Sequence, residues 1–129
     1  MDKNRVDKYI SSAVTALEEC GIAKNGEIVK TFRGQISSFG AAVTMGSFKQ
    51  AVAAFSKDAQ SGNSVISRSK LIEAIHYVIY KEKLDAEKIC KQVLQTPASD
   101  INCLKERYLD AAVALKLAMN AYDLKKADK

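Results

Sequence analysis

The chain has 129 residues, 47% apolar and 27% charged, with one proline and six glycines. This indicates one globular domain spanning 1–129, and argues against a turn-rich β architecture because long stretches lack helix breakers. A formal charge of +5 is compatible with a polyanionic partner but does not require one.

From Asp2 to Cys20, apolar residues fall at Val6, Ile10, Ala13, Leu17 and Cys20, steps of three and four that predict an amphipathic helix. Asp2 is suited to cap it and Gly21 to end it, since glycine accepts positive φ. Residues Ile22 to Asn25 read as a short loop. A second helix is expected after Gly26, with Ile28, Val29, Phe32, Ile36, Phe39 and Val43 as its apolar stripe. Gly34 and Gly40 lie inside it, and their bare backbone lets another chain or helix approach closely, tight packing inside this domain being the first expectation.

Met45-Gly46 should end that helix. Ser47 and Gln50 then form an S-x-x-Q capping pattern for a third, with Phe48, Ala51, Val52, Phe55 and Ala59 inward. The polar run Gln60–Ser64 reads as a loop and a candidate mobile connection. Asn63 or Ser64 is the expected cap of a fourth helix reaching about Lys83. Its segment Ile75–Tyr80 has strand-like composition, but the length and the spacing of Leu71, Ile72, Ile75 and Ile79 favour helix.

Asp85 is placed to cap a fifth helix with Ile89, Val93 and Leu94 inward, and Pro97 separates it from the last. The final helix should begin near Ser99 or Asp100 and carry Ile101, Leu104, Tyr108, Ala111, Ala112, Leu115, Met119 and Tyr122 on one face. The tail from Lys125 to Lys129 should fray. The expected fold class is all-α, a compact bundle of about six helices.

Catalytic chemistry is hard to place on this sequence. The single histidine, His76, falls inside an apolar helical segment. Three cysteines, Cys20, Cys90 and Cys103, are odd in number and lack paired metal spacing, so they read as small core side chains. No phosphate-binding glycine motif occurs. The expectation is a protein that is not an enzyme and takes no cofactor, metal or small-molecule substrate. The charged N-terminus and the lack of an apolar run near 20 residues, about the length that spans a bilayer, suggest a cytoplasmic protein without a membrane partner.

The basic residues remain. Lys24, Lys30, Arg33 and Lys49 are the candidate nucleic-acid contacts, forming either one stripe or two patches. Such cations attract phosphate without reading bases, so binding would depend strongly on salt and weakly on sequence. A second basic group is expected at Lys105, Arg107 and Lys116. The phenylalanines follow the core stripe, whereas Tyr9, Tyr77, Tyr80, Tyr108 and Tyr122 are open to either packing or base stacking.

Three pieces carry a family resemblance: RVDKYISSAVTALEE, then KTFRGQISSFGAAVTMGSFKQAVAAF, then AAVALKLAMNAYDLKK at the end. In this order they resemble the small subunit of the type III-B CRISPR effector, the fifth protein of the Cmr RNA-silencing complex. The resemblance rests on element order and apolar pattern, and residues 60–100 add little to it. It implies a small all-helical subunit without nuclease activity that stacks on neighbouring copies and on other effector subunits. It also implies contact with guide or target RNA, onto which Arg33, with Lys30 and Lys49 nearby, can be carried over. Gly46-Ser47-Phe48 departs from the Gly-Leu-containing run typical of the family at that turn. The rival expectation is a helical protein–protein adaptor without nucleic-acid contact.

Overall fold

The computed structural model describes residues 2–61 and 64–125. Six helices carry the fold: α1 (Lys3–Glu19), α2 (Lys30–Met45), α3 (Phe48–Phe55), α4 (Arg68–Tyr80), α5 (Ala86–Leu94) and α6 (Ala98–Ala118). The all-α class holds. Two small sheets accompany the helices: β1 (Ala23–Lys24), β2 (Glu27–Val29) and β5 (Asp123–Lys125) in one, β3 (Ala59–Ser61) and β4 (Ser64–Ile66) in the other.

Local chemistry explains most helix ends. The Asp2 carboxylate accepts the Arg5 backbone N–H at 3.1 Å and starts α1. At its other end Gly21 has φ +75°, the Gly21 N–H donates to the Glu18 carbonyl, and the Ile22 N–H donates to the Leu17 carbonyl. This paired closure satisfies carbonyls that the helix leaves open. Ser47 caps α3 by accepting the Gln50 N–H, and Asp85 caps α5 by accepting the Glu87 N–H.

The segment between α1 and α2 departs from the expected loop and helix. Asn25 and Gly26 have φ of 54° and 76°, so both central residues of the turn are left-handed. That geometry suits a two-residue hairpin whose twist matches the flanking strands. It pairs Ala23 with Ile28 and Lys24 with Glu27. Ile28 and Val29 are therefore strand residues, and α2 begins only at Lys30. Strand β5 joins β2 in parallel, with Glu27, Ile28 and Val29 opposite Asp123, Leu124 and Lys125. The last helix accordingly stops at Ala118, followed by a 3₁₀ turn over Met119–Ala121.

The expected loop at Gln60–Ser64 is an antiparallel hairpin, with Ala59 opposite Ile66. Its tip, Gly62 and Asn63, lies outside the described residues, as does the tail beyond Lys125. Ala59 leaves the predicted α3 stripe for β3. Helix α4 begins after Ser67, later than expected and without a side-chain capping hydrogen bond, and stops at Tyr80, where Lys81 turns left-handed with φ 57°.

α6 packs on α1, α2 and α4, and its inward face is mostly small: Ala111, Ala112, Ala114 and Ala118 beside Tyr108 and Leu115. Small residues let the neighbouring helices approach closely. Phe39, Phe48 and Phe55 are buried, and Phe32 packs half-buried against the core. Phe39 meets Phe55 edge-to-face at 5.3 Å, and Phe48 meets Tyr108 at 4.9 Å. Such pairs add directional attraction to their apolar burial. The Tyr122 hydroxyl donates to Glu18 Oε1 at 2.8 Å, fastening the chain after α6 to α1.

The glycines divide sharply. A Cβ on Gly46 would sit 2.8 Å from the Ala42 carbonyl oxygen, whereas one on Gly34 or Gly40 would meet nothing within 4 Å. The expected close packing at Gly34 and Gly40 is thus absent. Gly46→Ala should destabilise the protein by about 1–3 kcal/mol, because the contact is with backbone and cannot swing aside. Gly34→Ala should stabilise it by about 0.5–1 kcal/mol through lower helix-forming entropy cost. Urea unfolding of the two variants against wild type measures both signs.

Candidate nucleic-acid interface

Lys30 is the first residue of α2, and Arg33 lies one turn further. The residue before them, Val29, has no side chain able to cap, and the first turn holds no acidic residue. A helix start leaves backbone N–H groups open and carries the positive end of the helix dipole. Two cations placed there raise the local potential further, which makes this the strongest anion-attracting corner among the candidates. Lys30 is exposed. Arg33 is half-buried and donates from Nη1 to Asn120 Oδ1 at 2.9 Å, an anchor that holds the guanidinium while leaving other donors.

Two further lysines come to the same end of the molecule from elements distant in sequence. Lys125 lies in β5 opposite Val29, the residue just before α2. Lys70, in the first turn of α4, and Lys24, in β1, approach a common point above Gly21 to within 3.8 and 4.0 Å. Lys24 is also placed across from Glu27, whose carboxylate offsets part of its charge. Sequence reasoning did not single out Lys70 or Lys125. No linear signal reveals them, since β5 has only three residues and α4 reaches α1 through tertiary packing.

Lys49 occupies a different place. Its ammonium donates to the Leu94 carbonyl at 3.1 Å and the Thr96 carbonyl at 3.0 Å, closing the C-terminal end of α5. Cations suit that end of a helix. The length of α2, about 22 Å from Lys30 to Met45 at 1.5 Å per residue, separates Lys49 from the Lys30 corner. The candidates therefore form two patches. The second basic group does not converge either: Arg107 and Lys116 are nine residues apart on α6, which puts them on opposite sides, and Lys105, on the side of Lys116, lies about 16 Å from it along the axis.

The tyrosines mostly serve packing. Tyr108 is buried, Tyr122 is held by Glu18, and Tyr9 and Tyr77 lie half-buried against the core. Burial first, and then the hydrogen bond to Glu18, push the Tyr122 hydroxyl up to about 12. Tyr80 alone among them is exposed, with its ring 4.6 Å from that of His76. His76 is itself buried in α4, its Nε2 3.2 Å from Glu82 Oε1. Cys20 is half-buried, and its thiol is pushed up to about 11 by burial and by the Glu73 carboxylate. It is a thiol at neutral pH and a poor nucleophile there. Among the described residues no group of three or more His, Cys, Asp or Glu is arranged to hold a metal ion.

Two outcomes follow for solution measurements. Lys49→Met should lower stability by about 1 kcal/mol through loss of its two carbonyl contacts. Lys30→Met should change stability by less than about 0.5 kcal/mol, because that lysine faces the unfavourable end of its helix. The raised Cys20 value implies alkaline loss of stability. The unfolded thiol ionises near its ordinary 9.0 while the folded one resists to about 11, so the contribution is complete below 9 and fades between the two. The guanidinium midpoint of Cys20→Ala should fall less than that of wild type across this window.

No helix among the described residues is long and apolar enough to cross a membrane. No family model, curated protein or solved structure matches this chain.

Proposed function

We propose that this protein is a non-catalytic structural subunit of a type III-B CRISPR (Cmr) ribonucleoprotein, working in the cytoplasm. It stacks with neighbouring copies and other effector subunits, and holds guide or target RNA by its backbone. The observation that carries the RNA contact is the start of α2, where Lys30 and Arg33 flank a helix N-terminus with neither a capping side chain nor an acidic first turn. Phosphate oxygens complement that corner through charge and through hydrogen bonds from donors fixed in direction. Lys24, Lys70 and Lys125 widen it. Lys49, engaged with α5, has its role in stability.

An observation also favours the rival reading of a protein–protein adaptor. An apolar groove between α2 and α6 is open at the surface, and its lining is mostly uncharged. The adaptor would co-purify with protein partners yet show no salt-sensitive binding to single-stranded RNA.

The discriminating experiment uses the assembled complex. The double variant Lys30→Glu/Arg33→Glu should weaken RNA association and leave the helical circular dichroism unchanged. If each cation neutralises one phosphate, the slope of log K against log salt should shrink by about 1.4 for a single strand. RNA binding equal to wild type at every salt concentration would remove this corner as the contact.

A further inference from the structure

The face of α2 left open by Gly40 borders a groove of about 380 Å³ against α6. On the α2 side Ser37, Gly40, Ala41 and Thr44 are small, with buried Ile36 beside them, and the α6 side presents Leu109, Val113 and the Arg5-paired Asp110. α2 and α6 run antiparallel, since Arg33 near the start of one bonds Asn120 just beyond the end of the other. Rows of small residues four apart beside such a pair leave the shape into which the ridge of a third helix fits.

The charges at the two ends are independent of that shape. Glu106 lies on the groove towards Thr44, and Lys116 towards Ser37. Both are exposed, and neither is within 4.0 Å of an opposite charge among the described residues. Ten residues of α6 separate them by about 15 Å, or nearly three helical turns. An acid at one end and a base at the other complement the dipole of a helix lying between them. Met45, 87% exposed beside Thr44, adds apolar surface at the Glu106 end. Nucleic acid fits poorly here, because the lining is mostly apolar, holds no aromatic ring, and includes the carboxylates of Glu106 and Asp110.

We propose that this groove receives one amphipathic helix of a partner protein, with its N-terminal end over Glu106 and its C-terminal end over Lys116. The bound helix runs parallel to α6, and its apolar ridge meets Gly40 and Ala41, where its backbone can come close. The inference is independent of RNA contact at the α2 start.

The test uses the full chain and two stapled, fluorescein-labelled helical peptides of about 14 residues, long enough to span the groove. Both carry the same leucine stripe. One has lysine near its N-terminus and glutamate near its C-terminus, and the other has the reverse order. The first should bind about fivefold more tightly, and Glu106→Gln/Lys116→Gln should abolish the preference. Gly40→Phe, which has space for its Cβ, should weaken the first peptide about tenfold by filling the groove, with the melting temperature maintained. Ala41→Phe provides the same test should Gly40→Phe not fold. Equal binding of the two orders, or binding of neither, overturns the proposal. So does a wild-type dimer in sedimentation that Gly40→Phe dissociates, which would make the occupant a second copy, or displacement of the bound peptide by single-stranded RNA.

Discussion

The carboxylate of Asp110 is 1% exposed on the longest helix of the protein. A charge in that position needs partners, since desolvation alone would far exceed any packing gain. Arg5 Nη1 supplies one at 2.9 Å, and the Asp2 backbone N–H a weaker one at 3.4 Å. Both come from the first turn of α1, so the pairing fixes how α1 lies along α6. Asp2 thus caps its own helix while its backbone reaches across to the next. α4 packs on both of these helices, and α2 packs on α6, so the register set at Asp110 propagates to most of the bundle. A neutral residue at 110 would remove this constraint and leave the Tyr122–Glu18 hydrogen bond as the polar tie between the chain after α6 and α1.

The fold was most legible where side-chain chemistry acts within a few residues. Asp2, Gly21, Ser47 and Asp85 each mark a helix end at the position their capping ability predicts. Helical spacing located α4 even though Ile75–Tyr80 has the composition of a strand. The reading failed where short strands carry too few residues for any period to show. Ile28 and Val29 continue the apolar spacing of α2, yet the Asn25-Gly26 pair just before them favours a hairpin turn, and that local preference prevails. The dipeptide was a usable signal. β5 had none, because its pairing depends on β2, far away along the chain.

The basic candidates divided for a related reason. Spacing along one helix correctly puts Lys30 and Arg33 together, but it carries no information about what else reaches them. Nearness in sequence left one stripe or two patches open for Lys49; the length of α2 and the open carbonyls of α5 assign it to a second patch. Gly34 and Gly40 show the converse limit. A glycine inside a helix permits a close neighbour, and only the packed structure reveals that none is present. The phenylalanines, in contrast, were identifiable as core because each falls on the apolar stripe of its own helix, α2 or α3.

The parallel pairing of β2 with β5 bears on the order in which the molecule assembles. Its two partners, Glu27 and Asp123, stand close to opposite ends of the sequence. Closing so long a loop costs more entropy than forming the local contacts of α1, α2 or the Asn25-Gly26 turn. During synthesis the helices can therefore gather while β2 still lacks its second neighbour. The strand that completes the sheet is also the one that brings Lys125 beside the start of α2. The basic corner at that helix end is therefore complete only once the C-terminal strand has paired.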